Sequence, residues 1–115
     1  MQPVVIKAVT DAQFSDALAV AKPVGDGLAH TRTAGQYDLP GVEASTGIWE
    51  CTPGSFRRAL KQAEYSYIIS GEGSFTPDGG QPLEFCAGDT LCFPEDCQGT
   101  WVVRRTLRKS YVVFG

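Results

Sequence analysis

The chain has 115 residues, ten basic against thirteen acidic, for a net charge of -3. A chain of this length makes one domain and buries roughly two-thirds of the surface it exposes when unfolded. The acidic balance excludes a nucleic-acid partner of the usual basic kind, and no run approaches the roughly 18 to 20 apolar residues of a membrane-spanning helix.

The N-terminal "MQPVVIKAVTDAQ" lacks a basic start, and Lys7 and Asp11 interrupt its apolar run. It does not read as a secretory signal, so a cytoplasmic protein with four reduced thiols, Cys51, Cys86, Cys92 and Cys97, is expected. None of the four forms a C-x-x-C pair, which argues against structural zinc.

In chain order, "PVVIKAV" predicts a first strand. "DAQFSDALAVA" predicts one short helix, with Phe14, Leu18 and Val20 at helix-like spacing. Residues 22–42, with Pro23, Gly25, Gly27, Gly35, Pro40 and Gly41, predict loop with one edge strand, and His30, the one histidine of the chain, lies there. From residue 43 a regular rhythm sets in: "EASTGIWECT", "SFRRA", "EYSYIIS", "GSFT", "PLEFC", "TLCFP", "GTWVVRR" and "RKSYVVF". These predict about eight strands, with "TPDGG" at 76–80 as a hairpin turn. So many short strands in one small domain must close on themselves or form two packed sheets, since open edges invite aggregation. The fold class is all-β: a jelly-roll barrel core over residues 43–115, with residues 1–42 supplying a strand, a short helix and a loop packed on it.

The order of these pieces resembles the cupin superfamily, whose motifs read G-x5-H-x-H-x(3,4)-E-x6-G and G-x5-P-x-G-x2-H-x3-N. Glu64 falls on the glutamate of the first motif, ahead of Gly71, and Gly88 and Pro94 open the second. "GIWECTPGSFR" and "GTWVV" followed by "RKSYVV" are similar to the small single-domain cupins related to ureidoglycine aminohydrolases and ethanolamine-utilisation cupins. The resemblance implies a jelly-roll β-barrel and, in the family at large, a divalent metal held by three histidines and the glutamate. Here the first two histidine positions fall on Arg57 and Ala59 with a four-residue spacer, or on Arg58 and Leu60 with a three-residue one. The third falls on Gly99, and Asp96 stands for the motif glycine. A lone carboxylate is too few donors for a transition metal. No cofactor is expected, with a weakly bound divalent metal at Glu64 as the alternative.

Side-chain alternation turns Glu64, Ser66 and Ile68 inward and Tyr65, Tyr67 and Ile69 outward. An inward Arg57 beside Glu64 reads either as one buried ion pair or as a site, with Arg57 gripping an anionic substrate oxygen and Glu64 as the catalytic acid or base. Ser66, Trp49, Gly99 and Trp101 complete the expected substrate-binding set; glycine at position 99 leaves room for a ligand at the backbone. Cys92 and Cys97 flank Pro94 without an evident activating cation. Arg104, Arg105, Arg108 and Lys109 crowd one predicted turn and read as a solvated face or an anion site. The expected ligand is a small polar or anionic, nitrogen-containing or carboxylated metabolite, either converted or only sensed. The outward aromatic set predicts a two-fold homodimer.

Overall fold

A computed structural model describes residues 2–115. Nine strands follow a short 3-10 turn, η1 (Asp11–Gln13): β1 (Leu18–Ala19), β2 (Pro23–Val24), β3 (His30–Asp38), β4 (Ala44–Cys51), β5 (Gly54–Leu60), β6 (Glu64–Pro77), β7 (Leu83–Cys86), β8 (Thr90–Phe93) and β9 (Cys97–Phe114). All pairings are antiparallel, in the order β1-β3-β4-β9-β5-β2, with β6 pairing β7, β8 and β9. The sheet curls into the all-β barrel expected of the sequence.

The long strand β9 organises the barrel. Its first half runs between β5 and β6, and its second half between β4 and β6. Two of the seven breaks expected between those eight strands are therefore absent. "EYSYIIS" and "GSFT" form the single strand β6, and "GTWVVRR" and "RKSYVVF" form β9. The glycines that suggested a break in β6 mark register shifts instead, between Ile68 and Gly73. Gly71 adopts φ 95, and a Cβ there would strike the Thr106 carbonyl oxygen, so only glycine lets the strands cross so closely. The hairpin at 76–80 forms as expected: Phe75 pairs with Leu83, and Gly79 takes φ 76.

The N-terminal third departs from its sequence pattern. Residues 3–9 form no strand; they lie over β3, where Ile6 and Val9 approach Gly35. The expected helix is reduced to η1, with Thr10 N–H donating to Gln13 Oε1 at 2.8 Å. Beyond it the edge of β3 competes successfully for the backbone. Ser15 N–H donates to the Thr33 carbonyl at 2.8 Å, and Leu18 and Ala19 pair with Thr31 and His30. Phe14 lies under the Arg32 guanidinium, 4.1 Å from ring centre to carbon, a contact that offsets the loss of a helical turn. His30 starts β3 and is half-buried, not in a loop.

Trp101 sits at the centre of the core, with ring centroids of Trp49, Phe75, Phe85 and Phe93 within 5.7 Å and Phe56 at 6.4 Å. Most of these contacts are tilted or edge-to-face, the geometry favoured by the ring quadrupoles. Aromatic rings thus fill much of the barrel interior.

Candidate functional site

Three successive rungs of β4, β9 and β6 build the site. They read Ser45–Val113–Glu64, Gly47–Tyr111–Ser66 and Trp49–Lys109–Ile68. Side chains at alternate positions share a face, so Glu64, Ser66 and Ile68 point inward with Lys109, Tyr111 and Val113. The outward set Tyr65, Tyr67 and Ile69 is exposed, as the alternation requires. In the middle rung Gly47 has no side chain, and the Tyr111 ring occupies the space a Cβ would fill. Lys109 leans along the strand across that rung, and its Nζ donates to Glu64 Oε2 at 2.6 Å. Ser66 Oγ donates to the same oxygen at 2.7 Å.

Both charged residues are buried, Glu64 to 7% and Lys109 to 5% relative exposure. Burial at this depth is costly to an ion unless it is paired, and here each is the other's partner. The Lys109 ammonium is also ringed by aromatic faces, with Nζ 4.7 Å from the Trp49 centroid, 5.1 Å from Trp101 and 5.9 Å from Phe93. Desolvation pushes the Lys109 pKa below its ordinary range; the Glu64 carboxylate opposes this, and Arg58 adds to the lowering.

Both protein hydrogen bonds to Glu64 go to Oε2. Among the described residues no buried side-chain oxygen or nitrogen lacks a partner, so Oε1 lies on the accessible side of the carboxylate. That side is a cavity of about 310 Å³, lined by Trp49, Arg58, Glu64, Trp101, Lys109 and Tyr111 among others. Its volume lies near the lower end of the range for small-ligand sites, roughly 300–1,000 Å³. A second depression shares Arg58, Leu60, Glu64 and Val113 and leads past the exposed Lys61 and Gln62.

The structure corrects several expected site assignments. Arg57 does not meet Glu64. It points away from the cavity and makes two hydrogen bonds to Asp78, at 2.6 and 2.7 Å, with a third to Thr100 Oγ1 at 3.0 Å. The neighbouring Arg58 lines the cavity instead, together with Leu60. The motif therefore follows its three-residue spacing, which puts Arg58 and Leu60 where the family carries histidines. Ser66 does not line the cavity but supports Glu64 from within the strand. Gly99 makes no room for a ligand: the Phe75 ring and the Thr76 carbonyl already fill the space beside it. Trp49, Trp101 and Glu64 do line the cavity.

The sequence places Lys109 with Arg104, Arg105 and Arg108 at a predicted turn, and the structure has no turn there. Strand β9 continues through them, and their charges diverge. Arg104 pairs with the exposed Glu84 at 2.5 Å and Arg108 with the buried Glu50 at 2.7 Å, both on the face of the sheet turned away from the barrel interior, while Lys109 turns inward. Position 109 shares odd parity with Trp101, Val103 and Leu107, all buried. Reading "TWVVRRTLRKSYVV" as one strand would have predicted its direction.

The donor set does not suit the metal that the fold family implies. The positions that would supply ligands carry Arg58, Leu60, Glu64 and Gly99, and one oxygen of Glu64 is already bonded to an ammonium. Among the described residues no group of three or more His, Cys, Asp or Glu side chains converges. The thiol of Cys51, buried nearby, is pushed up to about 12 by desolvation, against the pull of Arg58 and Lys109, so it stays protonated at neutral pH.

The backbone of the second motif is kept although its chemistry is not. Asp96, standing where the motif has glycine, adopts φ 57, a conformation that aspartate tolerates better than most residues. A family model described as an EutQ-like cupin domain matches residues 40–111. The chain belongs to the EutQ-like cupins. Similar solved structures include a DUF861-family protein of Thermotoga maritima, 30% identical over 58% of this chain and 76% of that one, with a TM-score of 0.57. The EutQ protein of Clostridium difficile is 18% identical, covering 94% of this chain and 80% of that one at a TM-score of 0.66. A putative ethanolamine utilization protein Q of Salmonella typhimurium is 17% identical, covering 76% and 70% at 0.63. The last two likenesses bear on fold alone. No curated protein matches the chain. Among the described residues no helix is long and apolar enough to cross a membrane.

Proposed function

We propose that this cupin binds a small anionic metabolite in its barrel without a metal, and that Glu64 exchanges a proton with it. One observation carries the reading. The cavity contains two cations, Arg58 and Lys109, against one carboxylate, Glu64, and Arg58 forms no ion pair among the described residues. A guanidinium left free at a small cavity is a carboxylate receptor, because its planar fork donates to two oxygens at once. The ligand anion that completes the charge balance lies between Arg58 and Lys109. Its reacting atom is then presented to Glu64 Oε1.

Chemically, Glu64 has the requirements of a general acid or base: one oxygen fixed by Ser66 and Lys109, the other turned to the cavity. Trp49 and Trp101 exclude water on one side, which strengthens the electrostatic contacts within. The four cysteines are unpaired, in keeping with a reducing, cytoplasmic setting. A non-catalytic sensing module would share the same cavity and the same cations; turnover separates the two. A thermal-shift screen of small mono- and dicarboxylates tests the binding step. Stabilisation of the parent, lost in Arg58→Met, supports the reading, and no response to any small anion contradicts it.

A further inference from the structure

We propose that Lys109 is a covalent site, whose amine forms an imine with a small 2-oxo acid or aldehyde acid held by Arg58. This deepens the binding reading above and rests on it.

Three features of the geometry point to it. First, Lys109 is among the residues that line the cavity and does not belong only to the core behind it. Of the four lysines it alone is buried; Lys7, Lys22 and Lys61 are exposed. Second, the aromatic surround suits the product as well as the reactant. Trp49, Trp101 and Phe93 present their rings to a cation at Nζ, and a protonated imine carries the same single positive charge as the ammonium. Third, the group needed to move protons stands in contact. Glu64 Oε2 is 2.6 Å from Nζ, and its other oxygen is accessible from the cavity.

The step balances without an added reagent. The ammonium of Lys109 passes a proton to Glu64, leaving a neutral amine beside a carboxylic acid. The amine nitrogen attacks the carbonyl carbon of the ligand, forming the C–N bond as the C=O π electrons move to oxygen. That oxygen takes the proton from Glu64, giving a carbinolamine whose nitrogen is still protonated. Glu64 then relays one proton from nitrogen to the hydroxyl, and water departs as the nitrogen lone pair closes the C=N bond. The result is a protonated imine beside the Glu64 carboxylate, the same net charge as the starting pair. Nothing is oxidised or reduced. Desolvation of the amine supports the first transfer, because it disfavours the charged form of Lys109. Arg58 places the ligand by its carboxylate, so that an acid bearing an adjacent carbonyl reaches Nζ and a simple aldehyde is not oriented. The small cavity limits the ligand to a few carbon atoms.

Trapping with sodium borohydride tests this on the full chain, with glyoxylate and pyruvate as probes and peptide mapping by mass spectrometry as the readout. The expected result is a reduced adduct at Lys109 about tenfold or more above any exposed lysine, as a positioned amine gains from proximity. Arg58→Met should remove that preference, and acetaldehyde, which has no carboxylate, should show no such preference even in the parent. Lys109→Arg should abolish it, and the wild-type map stands as a test by itself if that variant does not fold. Adducts confined to Lys7, Lys22 and Lys61 would overturn the proposal. If glyoxylate still raises the melting temperature in that case, the binding reading survives and only the covalent step falls. If it does not, both fall.

Discussion

Lys109 lies opposite Ile68, four residues along β6 from Glu64, yet the two side chains meet at 2.6 Å, and Ser66 from the pair between them donates to the same carboxylate oxygen. Nothing between the two strands blocks the lysine chain, which runs along β9 toward the carboxylate. The contact places a charged pair in the part of the barrel where the wider superfamily carries a metal. Trp49, Trp101 and Phe93 enclose the ammonium.

The two neighbouring arginines of β5 should behave differently. Arg57→Ala removes an exposed pair with Asp78 and should change stability little, since such pairs are largely solvated. It should leave anion binding intact. Arg58→Ala should cost equally little stability but abolish the response to small carboxylates. Equilibrium denaturation and thermal shift on both variants check the contrast, and an Arg57 variant that loses binding would place the site elsewhere.

That contrast also shows how far the sequence could be read. The barrel class, the inward Glu64 and the outward Tyr65 and Tyr67 follow from period-two alternation and turn residues, which act locally. The choice between Arg57 and Arg58 does not. It depends on whether three or four residues separate the motif's second position from Glu64, and only pairing of β5 with β9 fixes that, with Phe56 opposite Trp101 and Arg58 opposite Gly99. Lys109 was hidden for a different reason. A run of basic residues looks like a solvated turn until the acids on neighbouring strands, Glu50, Glu64, Glu72 and Glu84, are seen to claim its charges. The N-terminal helix failed through competition, since the edge of β3 offered its backbone a ladder.

Purified protein should carry far less than one transition metal per chain, and chelation should leave its melting temperature unchanged. Elemental analysis decides the first point and a denaturation scan the second. One tightly held metal per chain would mean that Glu64 releases Lys109 to bind it.

Acid should weaken the hold of Arg32 and Arg108 on Glu50. Burial raises the Glu50 pKa, but hydrogen bonds from Arg32 and Arg108 outweigh it and hold the value below the ordinary 4.5. A carboxylate lowered in this way binds fewer protons folded than unfolded. Its stabilisation is complete above 4.5 and declines as pH falls through the folded-state value. Glu50→Gln should therefore flatten the acid side of the stability curve, measured by urea denaturation at stepped pH. An unchanged acid slope would refute the assignment.

Self-association is expected through the outer face of β6. Tyr65 is 55% exposed, Tyr67 52% and Ile69 43%, and Phe114 extends the strip with its ring 5.5 Å from that of Tyr65. A two-fold axis needs only one such self-complementary strip, so a second copy of the chain is the proposed occupant. Light scattering at micromolar concentration should report twice the 12.4 kDa chain mass, and Tyr67→Lys should return the monomer. A monomeric parent would count against this face.

The central claim is that Glu64 and Lys109 form a site rather than a structural pair, and the double replacement Glu64→Leu with Lys109→Met tests it most directly. Either single change strands a buried charge and should cost about 3–5 kcal/mol. The double variant leaves no orphan, and apolar replacement of a buried pair is often neutral or stabilising by roughly 1–4 kcal/mol. The account predicts that the double variant folds at least as well as the parent in urea denaturation and no longer responds to the small carboxylates that stabilise the parent. A double variant that unfolds, from a parent that responds to none of them, would show that the pair serves the fold alone.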